Sequence, residues 1–295
     1  MCFQIYFVNE HSPNAVFNLN FHANRVNFLL LSIVGCNCMS FMRVAALFIW
    51  GVIDAEHYVK NGDVKIWTEI SGTKNGSYII LCNGGPGDCD YLLPISQMVD
   101  DGFAVIRFEP RGCGRSEKDG KYDIATTISD LEAIREYYKI NTWSICGHSF
   151  GAIIALFYVI AYPDRVISFI DIAGGGLQYS DKWLADYHVK LKKHGEARPE
   201  MLYQMNSDVN QAGFLSFLSY VQSPCLYKVI SELKIPSLFI CAENDIRPNW
   251  PTEQIQALIG NSKLVSIPGA AHYIWLTHYN ELKLELRKFL GLCFS

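Results

Sequence analysis

Three residue types that together can transfer an acyl group recur along this chain, far apart: Ser149 within Gly147-His148-Ser149-Phe150-Gly151, Asp245, and His272. A serine hydroxyl is a weak nucleophile until a base takes its proton, and the base needs a carboxylate to orient it. The pentapeptide follows a short apolar run, Trp143-Ser144-Ile145-Cys146, and opens a helix-like run from Ala152 to Phe157. A serine at so tight a strand-to-helix turn has its hydroxyl pushed beyond the sheet edge. Glycines two positions to either side avoid collision with the neighbouring strand and helix. The turn also aims the Phe150 amide, and the positive end of the helix, at the oxygen under attack.

Asp245 lies in Cys241-Ala242-Glu243-Asn244-Asp245, after the apolar run Ser237–Ala242. His272 ends Pro268-Gly269-Ala270-Ala271-His272, after Leu264–Ile267. Both are expected on loops beyond the carboxyl ends of strands, where open α/β sheets bind ligands. Glu243 and Asp171 compete with Asp245 for the acid's role, and His278 competes with His272, although its position suits the start of a terminal helix. His148 is expected to pack beside the serine. An oxyanion needs a second donor, and Asn83-Gly84-Gly85-Pro86-Gly87 follows an early strand. Its glycines let backbone approach a substrate, so the Gly84 amide is the expected partner of the Phe150 amide.

Positioning these groups requires a particular scaffold. Short apolar runs without alternation at Tyr78–Cys82, Ala104–Phe108, Trp143–Cys146, Val166–Ile172, Ser237–Ala242 and Leu264–Ile267 suit parallel strands covered on both faces. Helical patterns separate several of them, at Thr127–Tyr138, Ala152–Tyr162, Glu253–Ile259 and Glu281–Leu290. Glu56–Lys60 and Val64–Glu69, joined at Asn61-Gly62-Asp63, read as an opening hairpin, with Asn-Gly supplying positive φ angles. Strands alternating with helices predict α/β architecture, a mostly parallel doubly wound sheet. The alternation breaks over about 177–224, where Trp183, Tyr187, Phe214, Phe217 and Tyr220 sit among charges. That segment is read as a short lid inserted over the site.

At 295 residues, half of them hydrophobic and 18% charged, the chain can bury one large core. A net charge of −4 without a Lys/Arg cluster excludes nucleic acid as a partner. Ten cysteines carry no CxxC pair and no histidine has metal-ligand spacing, which predicts reduced thiols, a cytoplasmic protein and no metal or other cofactor. Glu109-Pro110-Arg111-Gly112-Cys113-Gly114-Arg115-Ser116 lacks the Gly-Lys-Ser/Thr of a phosphate loop. It is read as a structural turn under the site, with Arg111 bonding backbone carbonyls. Residues 1–53 lack the alternation of residues 54–295 and are read as an N-terminal extension. The 17 uncharged residues between Arg25 and Arg43 leave a membrane anchor as the alternative.

Taken together, these strings resemble the α/β-hydrolase superfamily and, within it, the proline iminopeptidase group of serine peptidases, over roughly residues 55–292. The chain order Ser, Asp, His matches. Asn83-Gly84-Gly85-Pro86-Gly87 is similar to that group's His-Gly-Gly-Pro-Gly. Glu109–Ser116 is similar to its Asp-x-Arg-Gly-x-Gly-x-Ser, with Glu109 for the aspartate. The resemblance implies the α/β-hydrolase fold, a Ser149–His272–Asp245 triad and release of an N-terminal residue, preferably proline, from small peptides. Members of the group carry tryptophan where this chain has Phe150, and their longer lids hold the substrate amine with glutamates, for which Glu196 and Glu200 are the candidates here. A small-molecule carboxylesterase or lactonase is the alternative, and a non-catalytic ligand-binding member of the fold a third. An anionic lid pocket sized for a free amine would favour the peptidase, an apolar, charge-free one the esterase.

Overall fold

The computed structural model describes residues 52–73 and 76–292. The expected extension, and the anchor considered for it, lie outside the described residues except for Val52 and Ile53, which already belong to the first strand. Among the described residues no helix is long and apolar enough to cross a membrane.

Eight strands form one sheet: β1 (Val52–Asn61), β2 (Val64–Thr73), β3 (Tyr78–Cys82), β4 (Ala104–Phe108), β5 (Trp143–His148), β6 (Val166–Ile172), β7 (Ser237–Ala242) and β8 (Ser262–Ile267). Their spatial order is β1-β2-β4-β3-β5-β6-β7-β8. The β1–β2 hairpin joins β4 antiparallel, and every pairing from β4 to β8 is parallel. The hairpin turn uses positive φ only at Gly62, while Asn61 is still paired with Val64. Strand order reverses between β3 and β5, so a crevice opens beyond their carboxyl ends. That is where Asn83–Gly87 and Ser149 emerge.

The central strands β3 to β7 are buried on both faces, apart from Tyr78 and Ile167 near two strand starts. Alternate side chains feed two cores. Ile80, Ile106 and Ile145 pack toward α2 (Ile124–Tyr137) and α3 (Phe150–Ala161), the helices that follow the short α1 (Leu93–Ser96). Ile79, Leu81 and Ile170 pack toward Leu282 and Leu286 of the terminal helix Tyr279–Leu290. The expectation that the last strand is buried fails. β8 closes one edge of the sheet, and of its residues only Ile267 is buried.

Within the expected lid, Ser180 caps a helix over Asp181–His194 and Asn206 caps another over Ser207–Val221. Both side chains accept from first-turn amides, the usual way of satisfying donors left free at a helix start. Beneath the site, Glu109 is fully buried and accepts from Arg115 Nη2 at 2.9 Å and from the Asp90 amide at 3.2 Å. A Cβ on Gly114 would stand 2.3 Å from that carboxylate, so glycine is required there. Arg111 departs from expectation. Its Nε donates to Asp130 at 2.8 Å and its Nη1 to Asp119, with one long 3.4 Å contact to the Asn61 carbonyl. Two carboxylates, the buried Asp130 and the exposed Asp119, hold it more than carbonyls do.

Candidate active site

Ser149 takes φ 57° and ψ −124° between β5 and α3. Holding a non-glycine residue there costs on the order of 1–3 kcal/mol, and the surroundings enforce it. The Ser149 amide donates to the Ile172 carbonyl at 3.0 Å, and its carbonyl accepts from Ala152 at 3.0 Å. A Cβ on Gly147 would lie 2.2 Å from the Gly151 carbonyl oxygen, and one on Gly151 would lie 2.0 Å from that of Cys82. The two glycines therefore let strand and helix close around the serine. The Phe150 amide, at the first helical position, has no intrahelical acceptor.

Asp245 and His272, 27 residues apart in sequence, meet at the ends of β7 and β8. His272 Nδ1 lies 2.6 Å from Asp245 Oδ2, and both side chains are buried. The second carboxylate oxygen accepts from the Arg247 amide at 2.8 Å. Burial raises the Asp245 pKa, but His272 and Arg247 outweigh it and hold the carboxyl below its ordinary value. An ionised Asp245 places a proton on Nδ1 and leaves the Nε2 lone pair free. Nε2 is buried and has no hydrogen-bond partner among the described residues. Among the described residues no hydrogen bond joins it to Ser149, yet an orphaned buried acceptor calls for an explanation, and proton transfer supplies one. A hydroxyl brought against it would both satisfy it and be activated.

The rivals stand elsewhere. Asp171 accepts from the Gly174 amide at 2.7 Å and has no histidine beside it; burial pushes its pKa up to about 7. Glu243 ties two loops together by accepting from the Gly269 amide at 2.8 Å. His278 occupies the N-cap position of the terminal helix, as its place in the sequence suggested, with its Nδ1 2.8 Å from the Thr277 hydroxyl.

The role expected of the Gly84 amide requires correction. That N–H donates to the Tyr91 hydroxyl at 2.7 Å and is not free to hold an oxyanion. The next residue, Gly85, at φ 121°, lines the same cavity as Ser149 and Phe150. Its amide has no hydrogen-bond partner among the described residues. The Tyr91 hydroxyl also lies 2.7 Å from His148 Nδ1, and His148 Nε2 lies 3.1 Å from the His272 carbonyl. A carbonyl only accepts, so His148 carries its proton on Nε2 and receives the Tyr91 proton at Nδ1. Desolvation, with repulsion from His272 and Arg247, holds the His148 pKa well below the usual value, which keeps that tautomer neutral. The sequence offered no spacing signal for Tyr91, and His148 was visible only as a neighbour of the serine.

The cavity beside Ser149 is walled by Phe150, Tyr179, Trp183, Phe214 and Phe217, and among the described residues its only charged lining residue is Arg247. The lid contributes most of these aromatics. The two lid glutamates expected to meet a free amine do not line it. Glu196 is ion-paired with Arg247, and Glu200 is exposed.

A family model described as the alpha/beta hydrolase fold matches residues 78–198, which include the glycine-proline loop and the serine turn. The chain has the α/β-hydrolase fold. It is 31% identical over 108 residues to a probable proline iminopeptidase of Leptolyngbya boryana, covering 36% of this chain and 34% of that one. The chain therefore aligns with only about a third of the length of the first such relatives. A longer match, 23% identical, covers 77% of this chain and 95% of a proline iminopeptidase of Thermoplasma volcanium. Among solved structures, an N-acyl homoserine lactone degrading enzyme superposes with a TM-score of 0.66 at 20% identity. That superposition covers 79% of this chain and all of the other. At that identity the likeness concerns the fold alone.

Proposed function

We propose that this chain of α/β-hydrolase fold is a serine hydrolase in which Ser149 is the nucleophile, His272 the base and Asp245 its orienting carboxylate. The observation that carries the reading is the His272 ring. One nitrogen is fixed on Asp245 at 2.6 Å, and the other is buried, unpartnered and the only free acceptor of the pair. Ser149 attacks an acyl carbonyl while Nε2 takes its proton. The Phe150 and Gly85 amides hold the oxyanion, each worth roughly 3 kcal/mol in such sites. The protonated imidazole then returns the proton to the leaving group, and water releases the acyl-enzyme by the same steps in reverse order.

Among the described residues the cavity beside Ser149 is walled largely by aromatics, and its one charged lining group, Arg247, is a cation. The absence of a lining carboxylate favours an acyl ester or lactone over a substrate with a free amine. A second reading, a proline iminopeptidase-like aminopeptidase acting on small peptides, draws support from the relatives of that name, one of them aligned over 95% of its length. Under that reading the free amine would need an acceptor outside the cavity lining. The test is labelling by a fluorophosphonate probe followed by turnover of prolyl, alanyl and acyl-ester chromogenic substrates side by side. Labelling should occur and vanish in Ser149→Ala; an unlabelled wild-type protein would overturn the serine hydrolase reading. Turnover of prolyl substrates without esters would select the peptidase.

A further inference from the structure

Arg247 stands two residues after Asp245 and reaches into the cavity that Ser149 opens on. Its side chain is about one-quarter exposed, whereas the carboxylate of Asp245 is almost completely covered. Glu196 of the lid occupies only Nη1, the same nitrogen that lies 3.6 Å from Asp245. Among the described residues no group hydrogen-bonds Nε or Nη2. A guanidinium presents its donors as a planar fork that suits a carboxylate, and half of this fork is unused. A second, independent donor is unmet in the same wall. The indole N–H of Trp183 is buried and has no partner. Two unmatched donors, aromatic walls and no lining carboxylate describe a site short of one acceptor.

We infer that Arg247 is a specificity-determining residue and that the preferred substrates are acyl esters or lactones whose acyl part carries a carboxylate. This rests on the serine hydrolase reading above. The aromatic residues cover the apolar stem of the acyl chain, the ester carbonyl lies at Ser149, and the distal carboxylate completes the open edge of the guanidinium. Hydrolysis then consumes one water and releases a dicarboxylic acid and the alcohol from an ester, or a single hydroxy dicarboxylic acid from a lactone. Glu196 keeps the empty cavity from holding an unbalanced buried cation, whose desolvation would otherwise be costly. Because Glu196 is tied to Arg247, an N-terminal ammonium finds no free carboxylate in this wall.

The test compares p-nitrophenyl valerate with mono-p-nitrophenyl glutarate, acyl chains of equal length that differ by the terminal carboxylate. The wild-type protein should favour the glutarate in kcat/KM by roughly ten- to a hundredfold, the worth of one hydrogen bond to a charged group. In Arg247→Gln the ratio should fall to about one, and Arg247→Lys should recover part of it. A wild-type ratio at or below one overturns the inference whether or not any variant folds. If neither ester turns over but the fluorophosphonate probe still labels Ser149, protection from labelling decides. Monomethyl glutarate must then slow labelling more than methyl valerate does, or the inference is lost. If the probe does not label at all, the serine hydrolase reading fails and takes this inference with it.

Discussion

The Tyr91 hydroxyl and His148 Nδ1 lie 2.7 Å apart, and through this contact three catalytic-loop candidates are held in register. Tyr91 accepts from the Gly84 amide, so it fixes the peptide that precedes Gly85. His148 donates to the carbonyl of His272, so it fixes the backbone that carries the base. Between them they hold the serine turn, because His148 immediately precedes Ser149. Removing the hydroxyl alone, as Tyr91→Phe, keeps the ring packed on Trp275 but releases the Gly84 peptide. We expect kcat to fall about tenfold to a hundredfold with little change in KM, the signature of a misaimed oxyanion donor rather than weakened binding. Steady-state kinetics on an acyl ester, with thermal unfolding as control, measures this. An unchanged kcat alongside a lowered Tm would reduce Tyr91 to a packing residue.

The two candidate acids separate in one experiment. Asp245→Asn preserves shape but presents a donor to Nδ1, reversing the His272 tautomer so that Nε2 carries the proton. In enzymes with this arrangement that change lowers kcat by about 10⁴. Asp171→Asn, with no histidine in contact, should leave kcat within about threefold, an effect of the size that distant changes typically produce. Turnover of the same ester by the two variants tests the assignment. Equal losses would return Asp171 to contention.

Much of this was legible before any coordinates. Glycine at 147 and 151, with serine between them, demanded a tight turn, and the Cβ collisions found at both sites are the collisions argued from the pattern. Apolar runs marked the parallel strands, because burial on both faces leaves no polar alternation to confuse them. What failed depended on side-chain contacts that no local pattern encodes. Whether the Gly84 amide is free turns on a tyrosine hydroxyl seven residues on, and no spacing rule anticipates it. Arg111 could be seen to need acceptors, but Asp130 reaches it only once the helix Ile124–Tyr137 docks, and Asp119 joins from the loop before that helix. The exposure of β8 likewise follows from its edge position in the sheet order, which composition does not encode.

Gly151→Ala should be among the most damaging single-methyl changes in the chain. Its Cβ would meet the Cys82 carbonyl oxygen at 2.0 Å and that of Asn83 at 2.6 Å, both backbone atoms that cannot rotate away. Helix and sheet must part, and overpacking of this kind costs roughly 1–3 kcal/mol or more. Urea denaturation should show a lowered midpoint, and labelling of Ser149 should slow because the turn that presents it has opened. A variant as stable as the wild type would mean the β3–α3 approach is looser than the coordinates have it.

Stability should depend on pH through two buried groups with opposite signs. Asp171 titrates at about 7 in the folded state against 3.8 unfolded, because burial disfavours its charge and the Gly174 amide only partly compensates. The folded protein therefore binds more protons than the unfolded chain between those values. This contribution is complete below about pH 3.8 and is lost as pH rises through 7. His148 behaves in the opposite sense. Its folded pKa is depressed by burial, so the unfolded chain takes up the proton first, and stability falls as pH drops below 6.5. Asp171→Asn should thus gain on the wild type steadily from pH 4 to 7 and hold that gain at pH 8. His148→Gln should lose its disadvantage against the wild type as pH falls from 7 to 5. Urea midpoints at pH 4, 5, 6, 7 and 8 for the three proteins measure both slopes. An Asp171→Asn gain that is the same at pH 4 and pH 8 would show that the carboxyl titrates at the same pH folded and unfolded, which would sink the burial-driven shift.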